Sequence, residues 1–330
     1  MDKAKPFAIY RASGLYRRFP TVIHTYPYRR RDGGWILFST DISADHLDNI
    51  TFFTGHETYV VDAWRVGPYQ VLLIGGELTP DHRTVIDALG LDCADLRALP
   101  DLSKPGLAVF DMDSTAIEIE CIDQIAALAG VGEAVSAVTE RAMLGELDFE
   151  ASLRQRVAAL KGTDVSVLDD VKANLPLMPE MAALVASLKA HGWYVAIASG
   201  GFTHFSDDLQ HQLGLDYAES NQLGIHKGTL TGDVEGAVVD AQRKADILTT
   251  LAQQYDIAPE NTVAVGDGAN DLIMMDAAGL GIAYHAKPTV NARAQTAVKY
   301  SWLGGRALCA ICEPSSGENQ LATPLTAQTH

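Results

Sequence analysis

The stretch Gly106-Leu107-Ala108-Val109-Phe110-Asp111-Met112-Asp113-Ser114-Thr115 decides the fold. Its first half is continuously apolar, and polarity begins abruptly at Asp111. A strand covered on both faces has that composition, with polar residues only where it leaves the sheet. The pattern returns in Trp193–Ala198, which runs into Ser199-Gly200-Gly201, and in Thr262–Val265, which runs into Gly266-Asp267-Gly268. Gly279–Ala283 is a fourth such run. Helical spacing lies between the runs: Met181, Leu184, Val185 and Leu188 share one face, and His191-Gly192 stops that helix. Strands alternating with helices predict an α/β fold, a doubly wound parallel sheet. Ligands of such sheets sit outside the carboxyl ends of the strands, so Asp111, Ser199 and Asp267 are expected at one rim.

The rest of the chain is arranged around that sheet. The connection from the first strand to the second is too long for a simple crossover, and residues 119–175 carry helical spacing, as in Ile122, Ile125, Ala126 and Ala129. They read as a helical cap inserted over the active edge. Residues 222–239, punctuated by Gly224, Gly228, Gly232 and Gly236, read as a hairpin excursion. Toward the N-terminus, Leu99-Pro100-Asp101-Leu102-Ser103-Lys104-Pro105-Gly106 has the composition of a linker. Residues 1–100 before it hold β-rich runs, Trp35–Phe38, Thr58–Trp64 and Tyr69–Ile74, the last two joined by a Gly67-Pro68 turn. Thr79 caps a helix that starts at Pro80 and continues to Leu89. A small α+β N-terminal domain follows, with an ACT-type, ferredoxin-like module as one option. The catalytic unit is expected over residues 105–312, and residues 313–330, rich in Ser, Gly, Thr, Pro and Gln, as a mobile tail.

Composition narrows the class. Of 330 residues, 47% are hydrophobic and 20% charged, which excludes wholesale disorder. Lys plus Arg number 25 against 42 Asp plus Glu, a net charge of −17. Such a surface repels phosphate backbones and argues against a nucleic-acid partner. A small anion is still compatible, because a local cation can invert the field inside one pocket. No run reaches the roughly 18 apolar residues of a membrane span, and the N-terminal stretch lacks the apolar core of a secretory signal. Four cysteines in a chain this long are no disulfide framework, and they predict a cytoplasmic location. Cys309 and Cys312 form a C-x-x-C, but no second pair completes a zinc site, so they read as two small apolar residues.

The polar strand ends carry the chemistry. Asp111 and Asp113, two residues apart, can divide the work: one reaches the reaction centre while the other acts as acid and base. Asp113 can also offer its backbone carbonyl to a metal. The same Asp, Ser and Thr residues equally suit a helix N-cap or a loose calcium loop. Asp267 and Asp271 in Gly266-Asp267-Gly268-Ala269-Asn270-Asp271 add hard oxygen donors, which suit Mg2+. Ser199-Gly200-Gly201 offers a hydroxyl and backbone N–H groups to an anion, or is an ordinary tight turn. Lys244, near the start of a helix, is by itself an ordinary surface charge.

In combination and order, D-x-D-S-T, S-G-G, Lys244 and G-D-G-x-N-D resemble the haloacid-dehalogenase-like phosphatases over roughly residues 105–312. The resemblance is greatest to the members that act on O-phosphoserine. It implies a Mg2+-dependent phosphomonoesterase that releases serine and phosphate through an aspartyl-phosphate, the last step of serine biosynthesis. Asp111 is then the nucleophile. Asp113 is the acid and base, its pKa raised by neighbouring acids. Asp111, the Asp113 carbonyl, Asp267 and Asp271 surround the metal, with Asn270 beside the substrate. Ser199, Gly200 and Lys244 face the phosphate oxygens. Glu120 is matched to the substrate amine and Arg156 to its carboxylate, although spacing alone does not separate them from Glu118 and Arg154. Met143 and Phe149 correspond to apolar residues that close over the substrate.

Other readings use the same residues. A phosphatase for another small phosphomonoester, or a phosphoryl mutase, shares the fold. A receiver-type signalling protein also gathers acids, a hydroxyl and a lysine around Mg2+, but has no need of the second acid or a cap. A silent serine sensor leaves every motif residue unexplained. Residues 1–100 are open to three roles: binding serine for feedback, forming a homodimer, or supporting the catalytic unit.

Overall fold

A computed structural model describes residues 4–7, 9–11, 19, 33–95 and 99–301. The expected C-x-x-C and the expected tail lie outside the described residues.

Residues in the first third form a five-stranded sheet. Its strands are β1 (Ile9–Arg11), β2 (Gly33–Ser39), β3 (Val60–Val66), β4 (Tyr69–Gly75) and β5 (Asp92–Asp95), in the order β1-β3-β4-β2-β5. All pairings in this sheet are antiparallel. Helices α1 (Ala44–Thr54) and α2 (Pro80–Ala88) connect them, so β2 to β5 follow a β-α-β-β-α-β path, the ferredoxin-like arrangement. The start of α2 is written in sequence. The Thr79 hydroxyl accepts from the His82 amide, the His82 ring returns a bond to the Thr79 backbone, and Pro80 occupies a position whose N–H is not needed.

The second sheet has seven strands in the order β12-β11-β10-β6-β7-β8-β9. These are β6 (Leu107–Phe110), β7 (Tyr194–Phe202), β8 (Tyr217–His226), β9 (Thr229–Glu235), β10 (Thr262–Gly266), β11 (Leu280–Tyr284) and β12 (Thr296–Val298). Every pair is parallel except the β8–β9 hairpin. Side chains of β6 alternate between two cores. Ala108 and Phe110 join one apolar cluster, while Leu107 and Val109 join the other. That is why the strand reads as an unbroken apolar run. The expected α/β class is therefore what the chain adopts. Two details differ from expectation. β7 continues as strand through Ser199-Gly200-Gly201 and does not end at Ala198. β8 starts at Tyr217, pairing first with β7 and then turning into the hairpin.

Four helices occupy the insertion between β6 and β7: α3 (Cys121–Leu128), α4 (Gly132–Met143), α5 (Phe149–Ala159) and α6 (Ser166–Ala173). Their base is fastened where Ile117 bridges Leu177 and where the Met178 amide donates to the Ala116 carbonyl. α7 (Met181–Ala190) and α8 (Thr203–Leu213) flank β7. α9 (Ala241–Gln254), α10 (Leu272–Ala277) and α11 (Pro288–Asn291) complete the wrap.

The two sheets are not loosely tethered. Ile36, Phe38, Trp64, Val66, Val71 and Leu73 from the first belong to the same buried cluster as Phe110 and Ile197 from the second. Burying each such side chain contributes about 1.5–3 kcal/mol. The connecting segment is packed as well. Leu102 is buried, and the Asn261 carboxamide donates to the carbonyls of Asp101 and Pro105.

Candidate active site

The carboxyl rim of the parallel sheet carries a cavity of about 520 Å³. Asp111, Asp113, Ser199, Gly200, Asp267 and Asn270 line it from the sheet side. Glu120, Phe149 and Arg156 line it from the insertion. Three stretches far apart in sequence thus meet at one rim, because parallel strands β7, β6 and β10 are neighbours and all end on the same side.

Asp111 extends the β6 ladder, its amide donating to the Val265 carbonyl. Residues 112–119 then turn and do not form a helix, so the N-cap alternative is not realised. Ser114 adopts a left-handed conformation, φ 55°. Its hydroxyl donates to Glu120 Oε1 over 2.8 Å. Asp113 is brought close to the glycines of β7: a Cβ built on Gly201 would lie 2.9 Å from Asp113 Oδ2 and 2.5 Å from Met112 Cε. A Cβ on Gly200 would lie 2.7 Å from the Phe149 ring. The two glycines are required by this close approach, beyond any need for a turn.

Lys244 is the cation paired with Asp111. It sits in the first turn of α9, which is capped by the Asp240 carboxylate accepting from the Arg243 amide. Its side chain is fully buried, with Nζ 2.9 Å from Asp111 Oδ1 and 2.7 Å from Asp271 Oδ1. Burial works against its charge, yet the attraction of Asp111 and Asp271 outweighs that and raises its pKa. Asp271 also accepts from the Gly268 amide.

One lysine does not neutralise this cluster. Carboxylate oxygens of Asp111, Asp267 and Asp271 lie within 4.8 Å of one another. Burial, followed by repulsion from Asp111 and Asp271, pushes Asp267 up to about 7. Burial and Asp111 also raise Asp271, against the pull of Lys244. All three donors are hard oxygens; Asp111 and Asp267 line the cavity and Asp271 is buried behind them, a set that fits a divalent cation. Asp113 is raised well above the ordinary carboxylate range, first by burial, then by Glu120 and Asp111. Neighbouring acids alone were the expected cause; burial is the larger one. Glu120 is raised by burial in the same direction.

The insertion supplies a selective face. Phe149, Leu153 and Arg156 follow i, i+4, i+7 spacing on α5 and all line the cavity. Arg156 Nε is buried and has no hydrogen-bond partner. Arg154, two residues back, points elsewhere: it binds Glu150 over 2.8 Å and the Val234 carbonyl over 3.3 Å. Glu118 is absent from the lining. The geometry therefore separates Glu120 and Arg156 from the neighbours that spacing left open. Met143 is not brought to the site. It lies at the end of α4, 69% exposed and outside the lining. Of the lining residues, Ile122 has a signal in the sequence only as part of the cap's helical spacing, and Leu153 is not singled out there, although the spacing from Phe149 to Arg156 points to it.

Residues 106–279 match the haloacid dehalogenase-like hydrolase family. Residues 31–95 match a domain of unknown function, DUF5609. The chain is 57% identical over 305 residues to the phosphoserine phosphatase of Vibrio cholerae serotype O1, covering 92% of this chain and 93% of that one. It is 47% identical over 287 residues to the phosphoserine phosphatase of Haemophilus influenzae, covering 87% and 91%. It superposes on the unliganded crystal structure of the probable phosphoserine phosphatase from Vibrio cholerae with a TM-score of 0.85 at 56% identity, covering 94% of this chain and 96% of that chain. The chain therefore belongs to the haloacid dehalogenase-like hydrolases. It is an enzyme of that family, a phosphoric monoester hydrolase whose high-identity relatives are phosphoserine phosphatases.

Proposed function

We propose that the protein hydrolyses O-phosphoserine to serine and inorganic phosphate, the reaction that ends serine biosynthesis. One observation carries this reading: a single cavity joins a lysine-paired carboxylate, a second carboxyl raised in pKa, and a Glu–Arg pair 36 residues apart in sequence. The first two groups suit a phosphoryl centre, and the last two suit the amine and carboxylate of an amino acid.

Asp111 is the nucleophile. Its carboxylate oxygen forms a bond to phosphorus as the bond from phosphorus to the seryl oxygen breaks, which divides one difficult displacement into two. Asp113, whose raised pKa favours the protonated carboxyl, gives its proton to the departing seryl oxygen. It then takes a proton from the water that attacks the aspartyl-phosphate, and orthophosphate leaves with Asp111 restored. Lys244, the Ser199 hydroxyl and the Gly200 amide stabilise charge on the equatorial oxygens. Glu120 binds the substrate amine. Arg156, with its unpartnered Nε, binds the carboxylate. Phe149 covers the reacting group, and Asn270 lines the substrate. Asp111, the Asp113 carbonyl, Asp267 and Asp271 would hold Mg2+, which would offset repulsion between carboxylate and phosphate and polarise the phosphoryl group.

Residues 105–312 are the catalytic unit, with the cap at 119–175, and residues 1–100 are a small α+β, ACT-like domain. No described helix is long and apolar enough to cross a membrane. Cys93 and Cys121 are buried free thiols, in keeping with a reducing cytoplasm. Phosphate release from a panel of phosphorylated amino acids and aryl phosphates, with and without Mg2+, tests the whole. Turnover that is greatest on O-phosphoserine and lost on chelation is expected. Equal turnover across the panel, or a stable phosphoprotein with no released phosphate, overturns it.

A further inference from the structure

The pairing of β7 with β8 skips at the functional loop. Ala198 stands opposite Glu219, and the next partners are Phe202 and Asn221. Ser199, Gly200 and Gly201 are thereby pushed out of the ladder toward the cavity, and their backbone groups need other partners. Asn221, 1% exposed, supplies one. Its Nδ2 donates to the Gly200 carbonyl over 2.8 Å. The amide of the same peptide unit, on Gly201, donates to Ser199 Oγ over 2.9 Å, so that peptide plane is held from both sides. With Ser199 Oγ accepting there, its own proton is free to be donated elsewhere.

The other end of the carboxamide is equally committed. Asn221 Oδ1 accepts from the Val239 amide over 2.8 Å in a buried setting. Val239 immediately precedes Asp240, the cap of the helix that delivers Lys244 to Asp111. One buried side chain thus ties the bulged loop at Ser199 to the entry of α9.

We propose that Asn221 is the positioning residue of the phosphoryl half of the site, setting the Ser199–Gly201 bulge and the Lys244 helix in register with each other. The inference rests on the cavity being a phosphomonoester site. Asn221 touches neither the Glu120 nor the Arg156 side, so its influence is confined to groups every phosphate ester uses.

The test uses the full chain with Asn221→Asp, which keeps an acceptor for Val239 but turns an oxygen toward the Gly200 carbonyl, and Asn221→Ser, which reaches neither partner. Misplacing reacting groups by about an ångström reduces turnover by about 10- to 100-fold. A loss of that size is expected in kcat for O-phosphoserine and for p-nitrophenyl phosphate alike, with weaker inhibition by orthophosphate by a similar factor. Melting temperature is measured in parallel. A folded variant with unchanged kcat and unchanged orthophosphate inhibition overturns the proposal, and so does a loss confined to O-phosphoserine. If neither variant folds, hydrogen exchange of the parent decides: saturating orthophosphate is expected to slow exchange at residues 199–202 and 239–245 together, and a response in only one segment overturns it. A parent that releases phosphate from no ester at all defeats the proposed function itself, a distinguishable failure.

Discussion

At the first residue of β5, Asp92 is a buried carboxylate; at the residue after β6, Asp111 is another. Their partners differ. Asp92 accepts three successive backbone amides, from Lys299 over 2.9 Å, Tyr300 over 3.2 Å and Ser301 over 2.8 Å. Beside it, Asp87 holds Lys299 Nζ over 2.6 Å and the Tyr300 hydroxyl over 2.9 Å. That cluster fastens the first sheet to the segment after β12, and its acceptors are taken up by the protein itself. The Asp111 cluster has Lys244 as its close cation, faces a cavity of about 520 Å³, and pushes Asp267 up to about 7. Carboxylates saturated by their own chain build a structure. Carboxylates left with surplus charge and open lone pairs await a ligand.

The comparison can be broken at either cluster. Asp111→Asn has the largest expected effect, a fall in kcat of at least about 1,000-fold with an unchanged circular dichroism spectrum. Retained turnover would remove the nucleophile. Next is Arg156→Ala, expected to reduce kcat/KM for O-phosphoserine about 10- to 100-fold while leaving an aryl phosphate nearly unaffected. Parallel losses on both substrates would take away the case for amino-acid recognition. Asp92→Asn is the structural counterpart. Urea unfolding should show a loss of about 1–3 kcal/mol, with kcat within about twofold of the parent. A catalytic defect without destabilisation would mean the two clusters are not separate in role.

The smallest expected effect is on pH. A folded carboxyl raised to about 7 holds its proton below that value, and must lose it before donating to a cation. Apparent Mg2+ affinity should therefore rise as pH increases toward about 7, by no more than about tenfold per unit, and level off above it. Calorimetric titration between about pH 6 and about pH 8 checks this, and a flat profile contradicts it.

Much of this was legible in the residues. Continuous apolar runs ending in Asp111, Ser199 and Asp267 identify strands buried on both faces, because only such strands need apolar side chains at every position. Thr79 and Pro80 announce their helix, since a cap is a local device. Met143 shows the limit. Its helical position and apolar character suit a lid, yet it is 69% exposed and outside the cavity lining. Asn221 carried no signal at all, being one polar residue in β8 whose partners, Gly200 and Val239, are 21 and 18 residues away.

Residue types and their order along the chain therefore determined the class of sheet, the strand ends that carry the rim's polar groups, and the oxygen-rich chemistry of the rim. These follow from local rules of burial, capping and acidity. Which of Glu118 and Glu120, or Arg154 and Arg156, enters the cavity was decided by tertiary structure alone, as was the sharing of one apolar core between the two sheets. The reason is geometric: Arg154 and Arg156, two apart on a helix, point to different faces, Glu118 and Glu120 lie in a non-helical turn ahead of α3, and only the docking of the insertion on the sheet selects which of each pair meets the site.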